Sequence, residues 1–301
     1  MKELGRLLTA MVTPFDEEGK VDYEQAKRLA LALLNSGSDG VVLVATTGES
    51  PTLLREEEVR LLTEVKSAVG ERGSVIAYTG SNSTAEALEA TEKAERIGVD
   101  ACLLVVPYYN KPTQEGLYQH FKIVAQSTSL PCILYNVPSR TIVNLSVDTV
   151  IKLSQIDNII GIKEASGNLE QISMIISNTR DDFLVWSGND SDTLPILALG
   201  GYGVISVISH LVGNQMKGMI DSFVNGKVDE AASIHRRLLP LINALFIVSN
   251  PIPVKYALNS IGFNVGKPRL PLIEPDEKSA TFIRDTLKNY KIDLPIVGAK
   301  R

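Results

Sequence analysis

The chain has 301 residues, 44% of them hydrophobic and 22% charged, with 22 glycines and 14 prolines. That balance excludes a disordered, collagen-like or coiled-coil chain and fits a globular protein with a sizeable core. Thirty Lys and Arg against 35 Asp and Glu leave a formal charge of −5; with no basic surplus to hold a phosphate backbone, nucleic acid is not an expected partner.

Residues 1–15, Glu3 and Arg6 among them, read as the approach to and body of a first strand, not as a signal peptide. Runs rich in Val, Ile and Leu then recur, so that strands are expected at 7–13, 40–45, 74–80, 101–109, 132–137, 159–165, 183–188 and 203–208. Near-continuous apolar runs of this kind suit strands covered on both faces. The stretches between them carry helical patterns. In 55–70, Val59, Leu62, Val65 and Val69 return at three- and four-residue steps, and Glu56-Glu57-Glu58 suits a solvated first turn favoured by the helix dipole. Ser83-Thr84-Ala85-Glu86 has the spacing of a capping box ahead of the next helix.

Eight β-then-α units predict an α/β protein, a closed (β/α)8 TIM barrel. The rival is a doubly wound open sheet, but no G-x-G-x-x-G follows the first strand. Past residue 224 the rhythm changes: 228–249, 253–261 and 276–290 read as helices, and the Gly- and Pro-containing 262–272 as a loop. The expected division is a barrel at 1–224 carrying the active site and a C-terminal helical appendage at 225–301.

The longest apolar stretches, such as 101–107 and 244–248, fall far short of the roughly 18 residues of a membrane span. Cys102 and Cys132 each sit inside an apolar run and neither belongs to a C-x-x-C pair. Buried, reduced, inert thiols are expected, as suits a soluble cytoplasmic protein without a membrane partner.

In a parallel barrel, reactive groups collect at the C-terminal ends of strands. Four strand ends carry polar residues that a core does not want: Ala45-Thr46-Thr47-Gly48-Glu49-Ser50, Pro107-Tyr108-Tyr109-Asn110, Tyr135 to Thr141, and Gly161-Ile162-Lys163-Glu164. Lys163 follows Ile159-Ile160-Gly161-Ile162 in a strand where a charged amine is costly to bury. Alternation puts Gly161 and Lys163 on one face, assigned to the barrel interior, with Gly161 leaving room there. A desolvated lysine has a lowered pKa and can form a Schiff base with a ketone; the competing reading is a structural lysine in an ion pair or reaching the rim.

Tyr135 shares its strand face with Ile133 and can pass a proton if a hydroxyl such as that of Thr46 or Thr47 bridges it; otherwise it is a core tyrosine. Tyr108 and Tyr109 read as a rim pair or a subunit contact, Arg140 as a surface ion-pair residue or a carboxylate clamp, and Glu49 as structural. His120, His210 and His235 lie far apart with no metal-ligand spacing, and neither a G-x-S-x-G elbow nor a phosphate-binding G-x-x-x-x-G-K-[ST] loop occurs. A metal-free, cofactor-free, lysine-centred mechanism is the expectation.

Five strings taken in order resemble the dihydrodipicolinate synthase (4-hydroxy-tetrahydrodipicolinate synthase) family. They are Thr46-Thr47-Gly48-Glu49-Ser50, Pro107-Tyr108-Tyr109-Asn110-Lys111-Pro112, Tyr135-Asn136-Val137-Pro138-Ser139-Arg140-Thr141, Gly161-Ile162-Lys163-Glu164-Ala165-Ser166-Gly167 and Gly203-Val204-Ile205-Ser206-Val207. The similarity runs from about Leu8 to Leu272 and includes Asn250-Pro251-Ile252-Pro253-Val254-Lys255. The resemblance implies a lyase of the class I aldolase type that condenses pyruvate with L-aspartate 4-semialdehyde, in lysine biosynthesis by the diaminopimelate route. Relatives with the same barrel and lysine cleave sialic acid or 2-keto-3-deoxy sugar acids, which is the alternative activity.

Carried over position by position, the resemblance makes Lys163 the Schiff-base amine and Tyr135, Thr47 and Tyr109 a proton relay, with Tyr109 reaching a neighbouring subunit's site. Arg140 would clamp the semialdehyde carboxylate, while Thr46, Thr47, Gly188 and Ile205 would hold or line the pyruvate pocket. A homotetramer, a dimer of dimers, is implied. Ser50, Pro51, Asn82, Glu86 and Tyr108 fall at the family's allosteric lysine site. Arg55 and Glu58 stand where strongly inhibited enzymes have histidines, so weak or absent feedback by lysine is expected.

Overall fold

Twenty elements alternate along the chain, in a computed structural model that describes residues 3–295. In order they are β1 (Leu7–Ala10), α1 (Tyr23–Asn35), β2 (Gly40–Leu43), α2 (Arg55–Val69), β3 (Ser74–Tyr78), α3 (Thr84–Ile97), β4 (Ala101–Val105), α4 (Gln114–Gln126), β5 (Cys132–Asn136), α5 (Pro138–Thr141), α6 (Val147–Ser154), β6 (Ile159–Glu164), α7 (Leu169–Asn178), β7 (Leu184–Ser187), α8 (Thr193–Ala198), β8 (Gly203–Ser206), α9 (Ser209–Val224), α10 (Val228–Leu245), α11 (Ile252–Ser260) and α12 (Glu277–Leu287). The strands follow one another in sequence order and close into a barrel. All eight strands and the three C-terminal helices fall within or close to the stretches expected from the sequence. No described helix is long and apolar enough to cross a membrane.

By packing, the described chain forms two compact units, 3–6 with 75–205 and 7–74 with 206–295. In the first unit, β5, β6 and β7 run parallel with Tyr135, Lys163 and Trp186 in register, and Asn136, Glu164 and Ser187 one step on. Trp186 is fully buried, donates its indole N–H to the Gly5 carbonyl at 3.1 Å and meets Tyr202 edge to face. Gly161 does not leave space for the lysine. A Cβ there would stand 2.2 Å from the Leu184 carbonyl oxygen and 2.9 Å from the Trp186 ring. The glycine is required because β7 approaches closely, and the indole occupies the volume that the sequence alone made look empty.

Ser83 caps α3, accepting from the Glu86 N–H, but the reciprocal half of the expected capping box is missing. The Glu86 carboxylate instead accepts from the Ser81 hydroxyl at 2.7 Å, and that hydroxyl takes the Ser83 N–H. Cys102 and Cys132 lie opposite each other on β4 and β5, both free and buried. Burial pushes the Cys102 thiol up to about 12 and raises Cys132 as well, so neither is a ready nucleophile.

In the second unit, β1 and β2 pair with Leu8 opposite Gly40. Asp22 caps α1, accepting from the Gln25 N–H. The acidic first turn of α2 is not simply solvated. Glu57 accepts from Arg269 at 2.6 and 2.7 Å, and Glu58 pairs with Arg55 at 2.8 Å. His210 on α9 bonds the Val207 carbonyl through Nδ1 and accepts the Val12 N–H through Nε2; burial holds it neutral, down at about 4. Within this unit α10 and α11 pack on α9, and α12 packs on α10 and α11.

Candidate active site

Lys163 is the next-to-last residue of β6, 6% exposed, on a strand whose six residues are all buried. Its Nζ stands 4.3 Å from the centroid of the Tyr135 ring. Burial disfavours the ammonium form and lowers this amine to about 8; the buried carboxylate of Asp190 opposes that shift and the Arg140 guanidinium reinforces it. An amine so placed keeps a neutral fraction of roughly a tenth near pH 7, available as a nucleophile, and more as pH rises toward 8. An exposed lysine, with its ordinary value near 10.5, would be almost wholly protonated there.

On the opposite face of β6, the buried Glu164 carboxylate accepts from the Ser166 N–H at 2.8 Å and from the Asn136 and Gln171 side-chain amides at 3.1 and 3.2 Å. Asn144 joins Asn136 to Gln171. Burial raises the Glu164 carboxyl against these donors, which lower it. The network fastens the ends of β5 and β6 to the start of α7 and so fixes the strand that carries Lys163. Neither Glu164 nor Asp190 stood out as a site residue in the sequence, because a carboxylate at a strand end reads as a rim residue until its neighbours are known.

Arg140 lies on the short helix α5, exposed, immediately past the strand that carries Tyr135. Gly188 follows β7 and its N–H is spent on the Glu164 carbonyl at 2.7 Å, while Ile205 is a buried residue of β8. Tyr108 and Tyr109 lie beyond the end of β4 rather than on the strand. Tyr109 has a φ of 73° and is 89% exposed. The next residue, Asn110, donates its side-chain amide to the Asn82 carbonyl at 2.8 Å. Within the first unit, the geometry brings Lys163 and Tyr135 into contact and leaves Tyr109 pointing out from the protein.

Thr46, Thr47, Ser50 and Pro51 belong to the second unit, on the turn after β2. The Thr47 side chain is buried and accepts a hydrogen bond from the Asn250 amide at 2.9 Å. Two residues later Glu49 is also buried, as the structural reading anticipated. It pairs with Lys255, which is 0% exposed, at 2.8 Å. Lys255 further donates to the Thr13 and Lys267 carbonyls and lies 4.1 Å from the Phe15 ring centroid. Burial lowers Lys255 to about 8, with Glu49 pulling the other way. This second buried lysine was overlooked as a candidate; its signal was one charge inside the apolar run Val254 to Leu258. Because its three donors all go to protein groups, it is a structural amine.

Among the described residues no cluster of three His, Cys, Asp or Glu side chains could hold a metal ion. His120 is buried beside Thr84 and held near 4 by burial.

Comparison with known proteins identifies the family. Residues 3–290 match the dihydrodipicolinate synthetase family. The chain is 70% identical over 296 residues to the 4-hydroxy-tetrahydrodipicolinate synthase of Dehalococcoides mccartyi, covering 98% of this chain and 100% of that one. Among solved structures, a dihydrodipicolinate synthase from Bacillus anthracis matches with a TM-score of 0.95 and 47% identity over 97% of this chain and 100% of that one. The enzyme from Cyanidioschyzon merolae, solved with lysine bound, matches with a TM-score of 0.94 and 47% identity over 95% of this chain and 98% of that one.

Proposed function

The chain belongs to the dihydrodipicolinate synthetase family, and on that premise we propose that it condenses pyruvate with L-aspartate 4-semialdehyde through a Schiff base on Lys163. The activity is that of a 4-hydroxy-tetrahydrodipicolinate synthase, a lyase of the aldolase type serving lysine biosynthesis by the diaminopimelate route. The observation that carries the assignment of Lys163 is a buried amine, lowered to about 8, against the ring of a buried tyrosine.

The neutral Lys163 Nζ attacks the ketone carbon of pyruvate, and loss of water leaves an iminium. That cation withdraws electrons from the adjacent methyl group, which gives up a proton to form an enamine. The enamine carbon attacks the aldehyde of the second substrate. The substrate's own amine then displaces Lys163, closes the ring and returns the free enzyme.

Each of these steps moves a proton. Tyr135, Thr47 and Tyr109 form the relay, three hydroxyls that hand protons on without any of them holding a charge for long. Arg140 clamps the semialdehyde carboxylate with its forked guanidinium. Thr46, Thr47, Gly188 and Ile205 hold or line the pyruvate part. With its N–H already committed to Glu164, Gly188 contributes its carbonyl or its lack of a side chain rather than an amide donor.

We extend the reading to the assembly and its location. The barrel at 1–224 carries the chemistry, the helical segment at 225–301 is its appendage, and the protein is a cytoplasmic homotetramer built as a dimer of dimers. In that assembly the exposed Tyr109 enters a neighbour's site. Ser50, Pro51, Asn82, Glu86 and Tyr108 are the candidate positions for lysine feedback, which is weak here because Arg55 and Glu58 replace histidines and are spent on each other. A side-by-side assay tests the substrate assignment. Turnover of pyruvate with aspartate semialdehyde should exceed cleavage of sialic acid or a 2-keto-3-deoxy sugar acid, and the reverse order would overturn it.

A further inference from the structure

The turn after β2 is built against its own backbone preferences. Val44 and Glu49 have φ values of 52° and 59°, in the left-handed region that non-glycine residues avoid, and Val44 is β-branched as well. Such a turn persists only if its surroundings hold it. Three ties do so from within the same unit. Thr13 donates its hydroxyl to the Gly48 carbonyl at 2.6 Å, Lys255 donates to one oxygen of Glu49 at 2.8 Å, and the Arg269 N–H donates to the other oxygen at 2.8 Å. A fourth tie ends on a hydroxyl: Asn250 Nδ2 donates to Thr47 Oγ1 at 2.9 Å, with both residues buried.

A hydroxyl has one proton to give and two lone pairs to offer. The Asn250 amide, a donor only, fills one lone pair of Thr47. What is left is one donor and one acceptor, the complement of a group that takes a proton on one side and releases one on the other. We infer that Asn250 is a positioning residue that sets the hydrogen-bond direction of the Thr47 hydroxyl, so that the helical segment after residue 225 takes part in proton transfer without touching substrate. The inference rests on the proposed relay and adds to it the residue that orients its central hydroxyl.

Asn250→Asp tests it, because the replacement has the same shape while its carboxylate only accepts. The Thr47 proton would then turn toward residue 250 and be lost to the relay. At pH 8, kcat should fall about 10-fold or more, while borohydride trapping with pyruvate labels Lys163 as fully as in the parent. As pH drops and the new carboxyl gains a proton to donate, the ratio of variant to parent kcat should rise. In a Thr47→Val background the same substitution should add no further slowing.

The inference is overturned if Asn250→Asp turns over like the parent, if it slows the Thr47→Val enzyme as much as the parent, or if labelling and kcat fall together at every pH. Should Asn250→Asp not fold, Asn250→Ser enters the same cycle under the same kcat and labelling criteria. Failure of Lys163 to label in the parent would sink the Schiff-base reading itself. A labelled parent with an additive cycle sinks only the role of Asn250.

Discussion

Lys163 Nζ sits over the Tyr135 ring at 4.3 Å from its centroid, with the two residues paired in register across β5 and β6. A ring face attracts an ammonium group, yet burial dominates and the amine lies at about 8.

The consequence is a defined pH dependence. Below that value the amine is protonated and cannot attack, so the rate of imine formation should climb about tenfold per pH unit and level off above it. Rapid quenching with borohydride at saturating pyruvate measures this directly. Arg140 lowers the same amine, so Arg140→Ala should move the midpoint upward. That variant should also lose far more activity toward aspartate semialdehyde than imine-forming capacity.

Tyr135→Phe keeps the ring against Lys163 and removes only the hydroxyl. Turnover should fall by roughly 10²–10⁴, the usual contribution of a positioned proton carrier. Trapped imine should still accumulate to the parental extent. A variant that turns over normally would remove Tyr135 from the relay.

The fold was legible because each strand announces itself as an apolar run and the count of eight selects a barrel. The chemical residues were legible where chemistry conflicts with burial, as for Lys163 inside Ile159 to Ile162. Pairwise facts were not. Gly161 looked like space for the lysine and proved to be the close approach of β7 under the Trp186 ring. Glu57 looked solvated and is held by Arg269, 212 residues further along the chain. Asn250 and Lys255 belong to a recognisable string, but their partners Thr47 and Glu49 lie over 200 residues away. A one-dimensional pattern carries periodicity and local chemistry; it does not carry which distant partner satisfies a buried polar group.

Lys255→Met tests the structural account of the second lysine. Removing one member of a buried ion pair strands Glu49 and costs roughly 3–5 kcal/mol, readable in denaturant unfolding. The sign of the pH dependence follows from the lowered amine. Unfolded Lys255 titrates near its ordinary 10.5 and folded Lys255 near 8, so between those values the unfolded chain binds more protons. Stability from this group therefore rises with pH across that window, and Lys255→Met should flatten the rise.

Arg55 and Glu58 pair with each other at 2.8 Å, so the Glu58 carboxylate is already opposed by a cation and is a weaker attractor for the ammonium group of a lysine effector. A titration of the enzyme with L-lysine should show little inhibition through the millimolar range. Strong inhibition below about 1 mM, roughly 4 kcal/mol of binding free energy, would contradict this reading.

Reduction of the enzyme with borohydride in the presence of pyruvate, followed by mass mapping of the peptides, addresses the catalytic amine itself. One N-(1-carboxyethyl) adduct per chain on the peptide containing Lys163, and none on the peptide containing Lys255, is the outcome the Schiff-base reading requires. An unmodified Lys163 with label on another lysine would move the imine to that residue, and no label at all would mean that the carbon–carbon bond is made without a Schiff base.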